Sequence, residues 1–161
     1  MSIIDTLITD RTAADVAALK QLMALDYASM SPEQQAAWLQ DSKGAYNVSD
    51  MNRVGTALNY LKQLLTADCG KAFNWTAKVD WSYLDIPTLT QIQAYAQQIA
   101  DIRAALVMPV GTAVAPAVVN LTWQQANDIE RILQVCDQLI VNVKAAFKYT
   151  NAAECCTGGL I

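Results

Sequence analysis

Histidine is missing from this chain of 161 residues, and charge of either sign is scarce. Without an imidazole there is no general base poised near neutrality, and the commonest metal ligand is gone. Charged residues make up 16% of the chain, against about 25% in an average domain. The net charge is −4 and there is no basic run, so the counterion-release contribution that drives nucleic-acid affinity is absent. None of the four cysteines, Cys69, Cys136, Cys155 and Cys156, forms a C-x-x-C pair, which leaves a zinc site without its usual spacing. Cys136 falls on an apolar helical stripe, where it reads as a small hydrophobe. Cys155 and Cys156 are adjacent, and a redox role competes there with that of plain tail residues.

Long apolar runs are also lacking. The opening MSIIDTLITD has no basic n-region, and Asp5 interrupts its apolar part, so no secretory signal is expected. The longest uncharged stretch, AALVMPVGTAVAPAVV from Ala104 to Val119, is short for a membrane span and contains Pro109, Gly111 and Pro116. It reads as a connector lying on the protein. With 53% hydrophobic residues and so little charge, the polar surface is largely amide and hydroxyl. Mixed charge normally keeps small domains apart. Part of this surface is therefore expected to be covered in an assembly.

Helix signals dominate what is present. Thr12 with Asp15, Ser31 with Gln34 behind Pro32, Thr88 with Gln91 and Thr122 with Gln125 all have the spacing of a capping box. Apolar residues follow at intervals of three and four: Val16, Leu19, Leu22, Met23 and Tyr27, then a short run around Ala36 to Leu39. Met51, Val54, Leu58, Leu61 and Leu65 make a third face. Leu89, Ile92, Ala96, Ile99, Ile102 and Leu106 make a fourth. The last series, Ala126, Ile129, Leu133, Cys136, Ile140, Val143 and Phe147, has coiled-coil spacing. The expectation is an all-α bundle of about five helices closed by a long antiparallel helix pair over 88–149. A single helical domain would span 1–150, with an N-terminal segment 1–11, a three-helix part 12–66, an extended arm 67–87 and a flexible tail 150–161.

Two regions stand out as candidate sites. KGAYNVSDMNRVG gathers Tyr46, Asn47, Asp50, Asn52 and Arg53. The order of oxygen-bearing residues does not match a calcium loop. Local needs account for most of the polarity: Asn47 or Ser49 as a cap, Asp50 for the helix dipole, Gly44 for a turn, Gly55 for close approach of another backbone. Tyr46, Asn52 and Arg53 are expected to tie this loop to a neighbouring helix, through Asn127, Asp128 and Glu130. The second region, WTAKVDW, alternates apolar and polar residues like an edge strand. Trp75, Val79, Trp81 and Tyr83, with Ile3, Ile4, Leu7 and Ile8 of the N-terminal segment, are the expected interaction residues. The tryptophans read either as buried anchors or as stacking faces for a host-surface glycan. No nucleophile–base pair, phosphate loop or cofactor motif is present, and neither a catalytic nor a metal-binding residue is expected.

Four blocks carry a resemblance. DRTAADV, WLQDSKGAYNVSDMNRV, DWSYLDIP and LTWQQANDIE occur in that order, from about Asp10 to Lys148. They resemble a recurring segment of virion structural and tail-associated proteins in phages and prophages of gut Firmicutes. KGAYN–NRV and LTWQQANDIE are its specific parts. The resemblance implies a non-enzymatic protein of the virion, in the tail, baseplate or fibre region, assembled in the bacterial cytoplasm. Its partners would be copies of itself and neighbouring virion proteins. The ending FKYTNAAECCTGGLI departs from the aromatic ending of that family, so an attachment role at this end does not carry over.

Overall fold

A computed structural model describes residues 2–157, with side chains as far as residue 146. The chain is all-α. A 3-10 turn, Ile3–Thr6, precedes α1 (Ala13–Met23), and a second, Tyr27–Ser29, precedes α2 (Pro32–Trp38). Then come α3 (Val48–Cys69), α4 (Leu89–Ala104) and α5 (Trp123–Thr157). Local chemistry sets most of these starts. Asp15, Gln34, Gln91 and Gln125 each return a side-chain oxygen to the backbone N–H of the capping residue three positions earlier. Asn47 rather than Ser49 caps α3, with its N–H donated to Asp50 at 2.7 Å. Gly70 ends α3 in the left-handed region, at φ 63°, and Lys71 N–H closes the turn on the Leu65 carbonyl.

The core lies among α3, α4, α5 and the first turn. Val54, Leu58, Leu61 and Leu65 of α3 meet Ile99 and Ile102 of α4 and Ile129, Ile132, Leu133 and Ile140 of α5, all without exposed surface. Burying each such side chain stabilises the fold by roughly 1.5–3 kcal/mol. Cys136 sits in this core, and burial pushes its thiol up to about 12, so it behaves as a hydrophobe. α1 and α2 bury none of their residues, contrary to the inward faces expected for both. They pack on each other beside the core, which leaves Met23, Trp38 and Leu39 in solvent.

Side-chain contacts fix the helix directions and overturn the expected antiparallel pair. Arg53, near the start of α3, meets Glu130 near the start of α5, and Asp68 at the end of α3 meets Lys144 far along α5. These two helices are therefore parallel. Tyr95, early in α4, bonds Tyr46 just before α3, while Asp101, late in α4, holds Trp75, whose carbonyl binds Lys62 late in α3. So α4 is parallel to α3 as well. A tight turn would force neighbours antiparallel, but the connectors on either side of α4 are long. At about 3.3 Å per residue each can run back along the 16-residue helix before the next begins.

The connector from α3 to α4 contains the strand-like WTAKVDW. No strand is assigned among the described residues, and this segment lies extended along α3. Asn52 donates to the Trp81 carbonyl and accepts from its N–H, and Asn59 does the same with Ala77. Two amide side chains on a helix thus stand in for a partner strand. Gly55 lies between them, and a Cβ there would collide with the Lys78 carbonyl oxygen. Gly44 is similar: its Cβ would strike the Asp15 carbonyl, so its role is close approach to α1. α5 continues past Tyr149, where its end was expected, to Thr157, so the backbone of 150–157 is helix rather than tail. The side chains of Phe147, Cys155 and Cys156 and all of 158–161 lie outside the described residues.

Candidate functional site

Asp50 and Arg53 of the KGAYNVSDMNRVG stretch meet Glu130 in a buried ionic clasp. Asp50 is 2% exposed and Glu130 not at all. Arg53 grips Glu130 with two prongs, Nε to Oε2 at 3.0 Å and Nη2 to Oε1 at 2.8 Å, and also bonds Asp50. Arg11, outside the expected site, completes the set, with its Nη2 at 2.8 Å from Asp50 and 2.7 Å from Glu130. Two guanidiniums thus face two carboxylates. Burial works against the Arg53 charge, but hydrogen bonds and charge from Glu130 and Asp50 outweigh it and raise its pKa. An ion pair this dry needs every lone pair engaged, since desolvation otherwise exceeds the attraction.

The clasp also organises the backbone of the N-terminal segment. Glu130 Oε2 accepts from Ile8 N–H at 2.7 Å, and Arg11 Nη1 donates back to the Ile8 carbonyl at 2.7 Å. Asn127 brackets Arg11 itself, accepting from its N–H at 3.0 Å and donating to its carbonyl at 2.9 Å. Three chain segments far apart in sequence are joined here. The Arg11 guanidinium lies 5.6 Å from the centre of the Tyr46 ring. The Tyr46 hydroxyl is 2.7 Å from that of Tyr95, and burial raises both phenols well above their ordinary pKa.

Tyr46, Asn47, Asp50, Arg53, Asn127 and Glu130 are thus brought together. Asn52 instead serves the arm, and Asp128 lines a recess with Val110, Arg131 and Val135. The Asp50–Arg53 contact is largely buried. Arg11 and Tyr95 were not legible as members. In the sequence Arg11 stands in a short polar run beside a cap, and Tyr95 merely interrupts an apolar face.

The expected interaction residues divide differently. Ile4 and Leu7 belong to the core, with Ile3 packed against it, so the N-terminal segment is inward-facing rather than a partner surface. Ile8 is half-buried. Trp81 is 6% exposed and lies under the Lys78 ammonium, 5.0 Å from its ring centre. Trp75 is half-buried against Phe73 and donates its indole N–H to Asp101 at 2.8 Å. Neither ring is a free platform, because the Asn52 and Asn59 bridges turn this side of the arm onto the bundle. Val79 and Tyr83 are exposed, and the Tyr83 hydroxyl bonds Asp41.

Several large apolar residues remain accessible. Tyr83, Leu84, Ile86 and Leu89 lead into α4 in solvent, with Leu84 93% exposed. Val107, Val110 and Val114 follow its C-terminus, with Val107 again 93% exposed. Among the described residues no helix is long and apolar enough to cross a membrane, and no cluster of three acidic, cysteine or histidine side chains could hold a metal ion. Comparison with protein-family models, with curated proteins and with solved structures gives no match for this chain.

Proposed function

We propose that this protein is a non-enzymatic structural component of a phage virion, associated with the tail, baseplate or fibre, and that it works by docking onto copies of itself or neighbouring virion proteins. The observation that carries the non-enzymatic, interaction-type reading is the division of its chemistry. The dense polar residues of the two signature blocks are consumed inside the clasp, while large apolar residues such as Leu84, Ile86, Val107 and Val110 are exposed. Carboxylates closed on all sides by guanidiniums and backbone groups offer no lone pair to a substrate. Exposed aliphatic clusters are what a docking protein presents. The virion assignment rests on the resemblance of the KGAYN–NRV and LTWQQANDIE blocks, whose residues build the clasp.

The glycan-binding alternative has less in its favour, because Trp75 and Trp81 have their rings occupied by Asp101, Phe73 and Lys78. Immunogold labelling and peptide mass spectrometry of purified particles test the virion reading. Stoichiometric labelling of the tail region is expected. Particles free of the protein would sink it.

A further inference from the structure

The loop before α3, the start of α5 and the first turns of α1 enclose a cavity of about 350 Å³. That falls within the roughly 300–1,000 Å³ of small-molecule pockets. Tyr46 and Trp123 give it aromatic walls, and Val16, Ala45, Leu121 and Ala126 aliphatic ones. The KGAYN and LTWQQ stretches meet here, and Lys43, Leu121, Trp123 and Gln124 take no part in the clasp.

The wall is rich in donors and holds no carboxylate. At the start of α5, Thr122 N–H goes to the Gln125 side chain, Gln125 N–H to the Thr122 hydroxyl and Ala126 N–H to the Thr122 carbonyl. The N–H groups of Trp123 and Gln124 are left without an acceptor in their own helix. The Trp123 indole N–H likewise has no partner among the described residues. Arg11, 2% exposed, forms part of the wall. Its two terminal nitrogens are taken by Ile8, Asp50 and Glu130, and its Nε is buried with no partner. A buried donor in that condition is costly unless something accepts from it.

Charge sets the kind of guest. The clasp is balanced, two guanidiniums against two carboxylates, so the excess comes from Lys43 and the start of α5. Lys43 lies 2.7 Å from Asp10, but Asp10 is 76% exposed and outside the wall, and a solvent-exposed pair of this kind is easily exchanged. Asp15, the other acid near Lys43, is bound to the N–H and hydroxyl of Thr12. A helix start carries roughly half a positive charge, so with one lysine the site matches a single negative charge better than a phosphate dianion.

We propose that this cavity binds a small organic monocarboxylate with an aromatic or aliphatic body. The carboxylate accepts from the first-turn N–H groups of α5 and from Lys43, and the body packs between Tyr46 and Trp123. The site goes beyond the docking function and does not depend on it.

The experiment uses the full chain labelled with nitrogen-15, whose four tryptophans give separate indole N–H signals in proton–nitrogen spectra. Trp123→Phe identifies the signal at the site. Benzoate, phenylacetate, acetate and inorganic phosphate are titrated, with benzamide and phenylacetamide as uncharged counterparts. Benzoate or phenylacetate is expected to move the Trp123 signal saturably with a Kd near or below about 1 mM. The matching amide should bind about tenfold more weakly, since it lacks the charge-assisted bonds. Lys43→Gln should weaken the carboxylate by a similar factor and leave the thermal melt unchanged, because Lys43 is exposed. No saturable shift at millimolar concentrations would overturn the proposal. So would equal binding of acid and amide, full affinity in Lys43→Gln, or phosphate binding in preference to every carboxylate. A carboxylate-binding protein absent from particles would refute the virion reading and leave this site standing.

Discussion

Arg53 and Glu130, 77 residues apart in the chain, meet through a two-pronged hydrogen bond in a space where Glu130 has no exposed surface. Removing one partner of such a pair leaves the other buried and uncompensated, at a cost of about 3–5 kcal/mol. Arg53→Ala, Glu130→Gln and Arg11→Ala are each expected to lower the melting temperature, by on the order of 10 °C for a chain of this size. Thermal melts check this. The double variant Arg53→Ala/Glu130→Gln should lose clearly less than the two single losses combined, because the residues share one network.

Gly55→Ala ordinarily helps a helix by about 1 kcal/mol. Here the added methyl meets the Lys78 carbonyl, which is backbone and cannot rotate away. The substitution is expected to destabilise, with the arm displaced from α3. Denaturant unfolding gives the sign, and a stabilised Gly55→Ala protein would contradict the close approach.

Asn52→Ala removes both hydrogen bonds to Trp81, and Asn59→Ala both to Ala77. At roughly 1 kcal/mol per bond, each change should loosen the arm by about 2 kcal/mol. Hydrogen exchange should rise some thirtyfold at the N–H of Trp81 in the first variant and of Ala77 in the second. Unaltered exchange would mean the arm is held by packing alone.

Asp137 is the acidic group expected to oppose folding at neutral pH. Burial raises its pKa, partly offset by a hydrogen bond from Tyr60, and its Oδ1 has no partner. A carboxyl whose folded pKa lies above its unfolded value contributes fully below the ordinary carboxylate range. That contribution is lost as pH rises through the folded value. Asp137→Asn should therefore raise the melting temperature at neutral pH, and the gain should shrink toward about pH 3, where the native aspartate is protonated. Melts of the two proteins across that range measure it.

The helices were legible because their starts are local: Thr12 with Asp15 or Thr88 with Gln91 need only three residues to declare themselves. Gly55 was legible too, as a poor helix residue on an otherwise regular face. The direction of α4 and α5 was not, because a long connector permits either sense and contacts between distant residues decide it, Lys144 with Asp68 for α5 and Tyr46 with Tyr95 for α4. Arg53 and Glu130 stood out as dense polarity in two separate blocks. Arg11 did not, since a charged residue between a 3-10 turn and a cap looks like any surface arginine until Asn127 and Glu130 close over it. The arm read as a strand because its alternation is real, yet its bridging partners are two asparagines on a helix, which no strand pattern announces.

Because α3, α4 and α5 all point the same way, their peptide dipoles add instead of cancelling as they do in an up-and-down bundle. Each helix contributes roughly half a positive charge at its N-terminus. The carboxylate of Asp50 lies in the first turn of α3, where that field favours it. The molecule is consequently a vector with a distinguishable front and back. Copies laid front to back would reinforce one another's field, and copies laid front to front would oppose it.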